Sequence, residues 1–223
     1  MKKYFNIVLY LVVTLGFSGQ ASADAQVDFF RAARADNASG MKSLLAKGFD
    51  PNTRDDKGQT ALLIAMREPS PKVVDVLIAS TKVDVEMRNS KDESPLMMAA
   101  LKGQQDLVMK LIARDADINK PGWTPLHYAA TNGHVAIMKV LLEKHAFIDA
   151  QSPNGTTPLM MAAMYGSTEA VKLLIDEGAD QSMKNQQGMT ALDFAKRANR
   201  GESAELLSRG QAAVNKRPTD GKW

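Results

Sequence analysis

One short segment recurs along this chain, and a tandem repeat constrains a fold more tightly than any single residue can. Thr124-Pro125-Leu126-His127-Tyr128-Ala129-Ala130 returns as Thr157-Pro158-Leu159-Met160-Met161-Ala162-Ala163 and as Ser94-Pro95-Leu96-Met97-Met98-Ala99-Ala100. Fainter copies begin at Thr60 and Thr190, so the successive intervals are 34, 30, 33 and 33 residues. The chemistry inside one copy explains the pattern. Pro125 stands where a helix needs no N–H, which makes Thr124 the N-cap and places Leu126, Ala129 and Ala130 on one side of a short first helix. Gly133 closes that helix in a left-handed conformation. A second helix then follows, with Ile137, Met138, Val140, Leu141 and Leu142 on its apolar stripe, and Ala146-Phe147-Ile148-Asp149-Ala150 leads on toward the next hairpin. One such unit cannot bury both faces alone, so units must stack.

On these motifs the chain resembles the ankyrin-repeat family. The resemblance implies an all-α solenoid with β-hairpin loops and six units, at about 27-54, 55-88, 89-120, 121-150, 151-184 and 185-210. The first and last units act as caps. Val27 to Asn52 keeps the skeleton but interposes Arg31, Arg34, Asp36 and Lys42, and Thr190 to Ala195 leads into the polar run Lys196, Arg197, Arg200, Glu202 and Glu205. The repeat domain is expected over 24-210, with 211-223 as a loose polar tail.

Ahead of the repeats, Met1-Lys2-Lys3, the apolar stretch Tyr4 to Phe17 and the small-residue site Ala21-Ser22-Ala23 have the order of a secretory signal peptide, 1-23, cleaved before Asp24. The apolar stretch is shorter than the roughly 20 residues of a spanning helix. The chain has no cysteine, so neither a lipid attachment site nor a disulfide framework follows. A periplasmic or secreted, soluble, monomeric protein is the expectation, and the chain is similar to exported ankyrin proteins of Gram-negative bacteria. Lys2 and Lys3 leave with the leader, reducing 28 basic residues to 26 against 25 acidic ones. The charges are interspersed rather than striped, which argues against nucleic-acid binding.

No catalytic constellation is present: the three histidines have no helical ligand spacing, and no H-E-x-x-H, G-x-S-x-G or phosphate-cradling loop occurs. No cofactor or metal is expected. The resemblance assigns His127 to ties between repeats, places His134 after the turn glycine, and puts His145 where the family has a helix-ending glycine. The expected activity is non-catalytic protein binding, as a scaffold or as an accessory or inhibitory factor for another exported protein. The alternative rests on methionine, of which there are 13: thioethers in an exported protein can bind Cu(I) or absorb oxidants. The motif positions point instead to Met97, Met98, Met160 and Met161 as core fillers.

The family's variable positions, carried over by motif, place the partner groove at Arg67, Glu93, Leu101, Trp123, Thr131, Asn132, Met164, Tyr165 and Met189. Its middle is apolar and its ends are charged, the composition of a protein-binding patch. The 30-residue interval predicts a truncated hairpin at Ile118 to Trp123, leaving a notch that the Trp123 ring either plugs or offers to a ligand. A second irregularity is Arg67-Glu68-Pro69-Ser70-Pro71, which replaces the glycine turn and predicts a second helix over Val73 to Ile78.

Overall fold

The computed structural model describes residues 23–215. The leader and the end of the expected tail, 1–22 and 216–223, lie outside the described residues. Twelve helices, about six pairs, make up the described chain, and Arg54 opposite Thr60 forms an isolated antiparallel bridge at one hairpin. The chain falls into two compact units, Met1–Asp92 and Glu93–Trp223.

The first unit holds α1 (23–34), α2 (Ala38–Ala46), α3 (Ala61–Arg67) and α4 (Pro71–Ala79). Its cap is built around Phe29, whose ring lies 4.5 Å from that of Phe49 and 5.6 Å, edge-on, from that of Phe30. Phe29, Ala33 and Met41 are fully buried. The sequence Arg67 to Pro71 resolves as expected. Pro69 forces Glu68 into an extended conformation (ψ 134°), which ends α3, and Pro71 occupies the first position of α4. α4 is longer at both ends than the apolar stripe Val73 to Ile78 indicated. Asn52 pins the base of the following hairpin, donating to the Lys82 carbonyl at 2.9 Å and accepting from the Asp84 amide at 2.8 Å.

The second unit holds α5 (Pro95–Leu101), α6 (Gln105–Ile112), α7 (Pro125–Thr131), α8 (Val135–Glu143), α9 (Pro158–Tyr165), α10 (Thr168–Asp176), α11 (Ala191–Arg197) and α12 (Gly201–Asn215). The inner helices α5, α7, α9 and α11 stack in that order, and the outer helices α6, α8 and α10 stack behind them. α12 runs into the stretch read from sequence as a tail. Each inner helix starts at a Ser or Thr N-cap followed, in three of the four, by Pro. The N-cap amide is accepted by the side chain three residues on: the Met97 sulfur at 3.4 Å, His127 Nδ1 at 3.2 Å, the Met160 sulfur at 3.4 Å and Asp193 Oδ2 at 2.9 Å. Four different residues thus close one reciprocal cap.

Burial along the inner helices follows one rule. In α5, α7 and α9 the first, second, third, fifth and sixth residues are buried, including Leu96, Leu126 and Leu159 with at most 1% exposure. The fourth and seventh are half-buried. At about 100° per residue these two positions share one face, the only one that stacking leaves open. The paired alanines are small because the backbones approach closely. A Cβ on Gly166 would stand 2.4 Å from the Ala130 carbonyl oxygen, and one on Gly133 would stand 2.9 Å from the Ser167 amide nitrogen. Gly133 also has the left-handed φ, 65°, that the sequence demanded. His145 takes the same region at φ 64°, in the place of a helix-ending glycine.

Candidate functional site

The open face of the second unit is assembled from three sets of side chains. One is the fourth helical position (Met98, Tyr128, Met161), another the seventh (Leu101, Thr131, Met164), and the third the residue before each N-cap (Glu93, Trp123, Thr156, Met189). Contacts within and between repeats join them. Tyr128 donates its hydroxyl proton to Glu93 Oε1 at 3.1 Å, and the Trp123 ring meets the Tyr128 ring edge-on at 6.5 Å. In the last repeat Arg197, at the seventh position, reaches back to the Met189 sulfur at 3.8 Å. The first unit repeats that corner with polar groups: Arg67 donates to Gln59 Oε1 at 2.7 Å and pairs with Glu68 at 3.2 Å. Hence the base of each hairpin and the end of its inner helix form a continuous surface. Thr156 is the exception, buried as part of the repeat packing.

Of the residues placed in the groove by motif, Glu93, Leu101, Trp123, Thr131, Met164 and Met189 are half-buried. Asn132, Arg67 and Tyr165 are exposed, Tyr165 by 53%. Two of the polar members already serve the fold. Thr131 Oγ1 donates to the His127 carbonyl at 2.8 Å, and Asn132 Nδ2 donates to the Leu101 carbonyl at 2.8 Å, a bond between neighbouring repeats. Arg67 belongs to the first unit and the other eight to the second. Sequence reasoning left out Tyr128 and misassigned Met98 and Met161 to the core. The signal was available: a fourth helical position lies on the same face as the seventh, which had been chosen.

The short hairpin is as the spacing requires. Asn119 takes the pinning role of Asn52, donating to the His145 carbonyl at 2.8 Å and accepting from the Phe147 amide at 2.7 Å. Four residues, Lys120 to Trp123, then separate it from Thr124, where the next repeat has seven from Ala150 to Thr156. Pro153 of that next hairpin leans toward Gly122, and Lys120, buried with 5% exposure, donates from its ammonium to the Trp123 carbonyl at 3.4 Å. Trp123 is half-buried, with its ring centroid 5.2 Å from that of His127 in an edge-to-face arrangement.

His127 is wholly buried and fully engaged. Nδ1 accepts the Thr124 amide at 3.2 Å and bonds the Thr124 hydroxyl at 2.9 Å, and Nε2 lies 2.9 Å from the Thr156 carbonyl oxygen. An acceptor at Nδ1 and a carbonyl at Nε2 fix the neutral tautomer with its proton on Nε2. Burial lowers its pKa to about 4, against the opposing pull of the Thr156 carbonyl. His134 Nε2 donates to the Leu101 carbonyl, 3.0 Å away, and Arg200 Nη2 does the corresponding service for the last carbonyl of α9, that of Tyr165, at 3.2 Å. These roles are structural. The Met97 and Met160 sulfurs are likewise buried and already accept amide protons, so neither thioether faces solvent.

The model of ankyrin repeats in three copies matches residues 29–121, 70–152 and 145–218. The chain belongs to the ankyrin-repeat family. Ankyrin-repeat domains are usually non-catalytic modules that bind proteins. Among curated proteins it is similar to human neurogenic locus notch homolog protein 2, 32% identical over 151 residues, which is 66% of this chain and 6% of that protein. It is also 32% identical over 123 residues to the mouse B-cell lymphoma 3 protein homolog, covering 52% of this chain and 28% of the other. Against these curated relatives, then, the ankyrin chain matches a minor part of a longer protein. Solved bacterial structures match at nearly full length. One is a chain of the complex between a predatory endopeptidase from Bdellovibrio bacteriovorus and an immunity protein, with TM-score 0.72, 30% identity, and coverage of 82% of this chain and 97% of that chain. Another is an ankyrin repeat domain from Acinetobacter baumannii, with TM-score 0.72, 25% identity, and coverage of 83% and 98%.

Proposed function

We propose that this ankyrin protein is an exported, non-catalytic binding factor that holds another exported protein in check, in the manner of an immunity protein toward a peptidase of its own cell. The observation that carries the reading is the match over 97% of a chain from an endopeptidase–immunity protein complex, a protein whose length resembles the repeat domain here. The open face supports it. α5, α7 and α9 carry no charged side chain, and their half-buried methionines, leucine and Tyr128 supply the desolvated centre that protein partners use. The order of charged, apolar and small residues in 1–23 supports delivery to the periplasm, with the working chain starting at Asp24.

The test is peptidase activity in periplasmic extracts. A strain lacking the gene should show more of it, and adding back purified protein should suppress the excess, whereas protein carrying Met164→Arg should not. Activity indifferent to both deletion and add-back would refute the inhibitory role. Recovery of the protein from the cytoplasm with Met1 intact would refute export.

A further inference from the structure

In the second unit the open face begins at Glu93, runs over three inner helices that carry no charged side chain, and then ends abruptly in positive charge. In α11 the seventh position, held by Leu101, Thr131 and Met164 in the preceding repeats, becomes Arg197. Its guanidinium extends over Met189, 3.8 Å from the sulfur. Arg200, three residues on, donates to the backbone carbonyl of Tyr165 at 3.2 Å. Lys184 and Lys196 add to the same end, since both act electrostatically on Asp193. All four cations are exposed.

Asp193, the carboxylate on which both lysines act, is spoken for. It accepts the Thr190 amide at 2.9 Å and the Thr190 hydroxyl at 2.8 Å, and these bonds hold its pKa below the ordinary carboxylate range. It closes the helix cap and cannot turn to neutralise the arginines without opening it. Tyr165, the most exposed aromatic residue on this face, stands at the junction of the apolar strip and the cations. Arginine outperforms lysine on an acidic partner, because its planar fork meets carboxylates in a bidentate fashion.

We infer that the partner lays an uncharged apolar segment along Met98 to Met164 and sets one or more carboxylates, from Asp, Glu or a free C-terminus, on Arg197 and Arg200 beyond Tyr165. This rests on the proposed use of the open face for protein binding and adds the chemistry and direction of what it takes. The strip gives adaptable apolar contact through its methionines, and the charged end gives register, since a segment reversed on the strip would put its carboxylates at Glu93.

The experiment uses a phage-displayed library of short random peptides selected on the purified protein, followed by a synthetic copy of the dominant sequence. Selected peptides should combine a Leu, Met or Phe run with Asp or Glu at one end only. Binding of the synthetic peptide should fall about tenfold in Arg197→Glu, and changing the peptide's acids to lysine should recover affinity for that variant. Arg200→Gln, which keeps a donor for the Tyr165 carbonyl, should weaken binding with little change in thermal midpoint. Peptides without acids, lost with Met164→Arg but indifferent to Arg197→Glu, would overturn this inference and leave the open face as a binding surface. Peptides indifferent to Met164→Arg, or a failure to select any, would overturn both.

Discussion

His127 makes the fold sensitive to acid. Its ring is buried in the neutral form, with pKa about 4 against an ordinary 6.5, so the unfolded chain takes up a proton between these values and the folded chain does not. Stability from this residue is therefore complete above pH 6.5 and is lost as pH falls toward 4. The gap corresponds to a ceiling of about 3 kcal/mol, since a tenfold change in proton affinity is worth about 1.4 kcal/mol, and about 2 kcal/mol of it should be gone by pH 5. The control is supplied by the chain itself. Met97 and Met160 fill the same position and accept the same amide, so His127→Met should fold. At pH 7.5 that variant should be less stable by about 1 kcal/mol, a modest loss because the Thr156 carbonyl keeps the Ser152 amide as a donor. At pH 5 the order should reverse. Urea denaturation of both proteins at the two pH values measures this, and the variant subtracts every other titrating group. Among these is Asp149, whose carboxyl burial pushes up and whose contribution runs in the opposite sense. Equal losses between pH 7.5 and 5 in the two proteins would refute a neutral, buried imidazole.

Leu126→Ala and Leu159→Ala each remove a fully packed side chain flanked by repeats on both sides, and urea unfolding should show a cost of about 2–5 kcal/mol; a value under about half a kcal/mol would mean the core stripe is misplaced. Gly166→Ala should destabilise by about 1–3 kcal/mol, because its methyl group meets the Ala130 carbonyl at 2.4 Å and backbone cannot give way; an unchanged melting curve would show that α7 and α9 are not so close. Tyr165→Ala should leave the thermal midpoint unchanged and abolish capture of the partner, while Trp123→Ala should lower both, its ring being braced on His127 and Tyr128; a Trp123 variant with an unaltered midpoint would return the ring to a purely binding role. N-terminal sequencing of periplasmic protein should begin at Asp24, and any other start would move the cleavage site.

The repeat pattern made most of the fold legible because each motif residue answers a local need: a Pro with no N–H to lose, a glycine where φ is 65°, alanines where backbones meet. The length of the last helix was not legible. Residues from Gln211 on are polar enough to read as a tail, yet α12 extends to Asn215. The site was legible by position and less so by state. Motif arithmetic put Leu101, Trp123, Met164, Tyr165 and Met189 on one surface, but could not say that Asn132 would be bonded to the neighbouring repeat's Leu101 carbonyl or that Trp123 would rest on His127. Those outcomes depend on the neighbour's backbone, which a single repeat does not encode. Arg200 went unassigned to the site for the same reason: its contact is 35 residues away, at Tyr165.

The stacking that makes the fold also decides where partner choice can be written. An internal inner helix of seven residues gives five to its neighbours, and each is constrained by contact on both sides, as His127 illustrates with bonds to Thr124 and Thr156. The fourth and seventh positions and the hairpin base carry no such double constraint, so they can change without breaking the array. Here they have become methionine, tyrosine and tryptophan in the middle and arginine at the end. The repeat of α11 is freer still, because among the described residues no inner helix follows it. Its seventh position carries a charge, as Arg67 does in α3, where α5, α7 and α9 carry none, so within the second unit the polarity of the open face changes at Arg197.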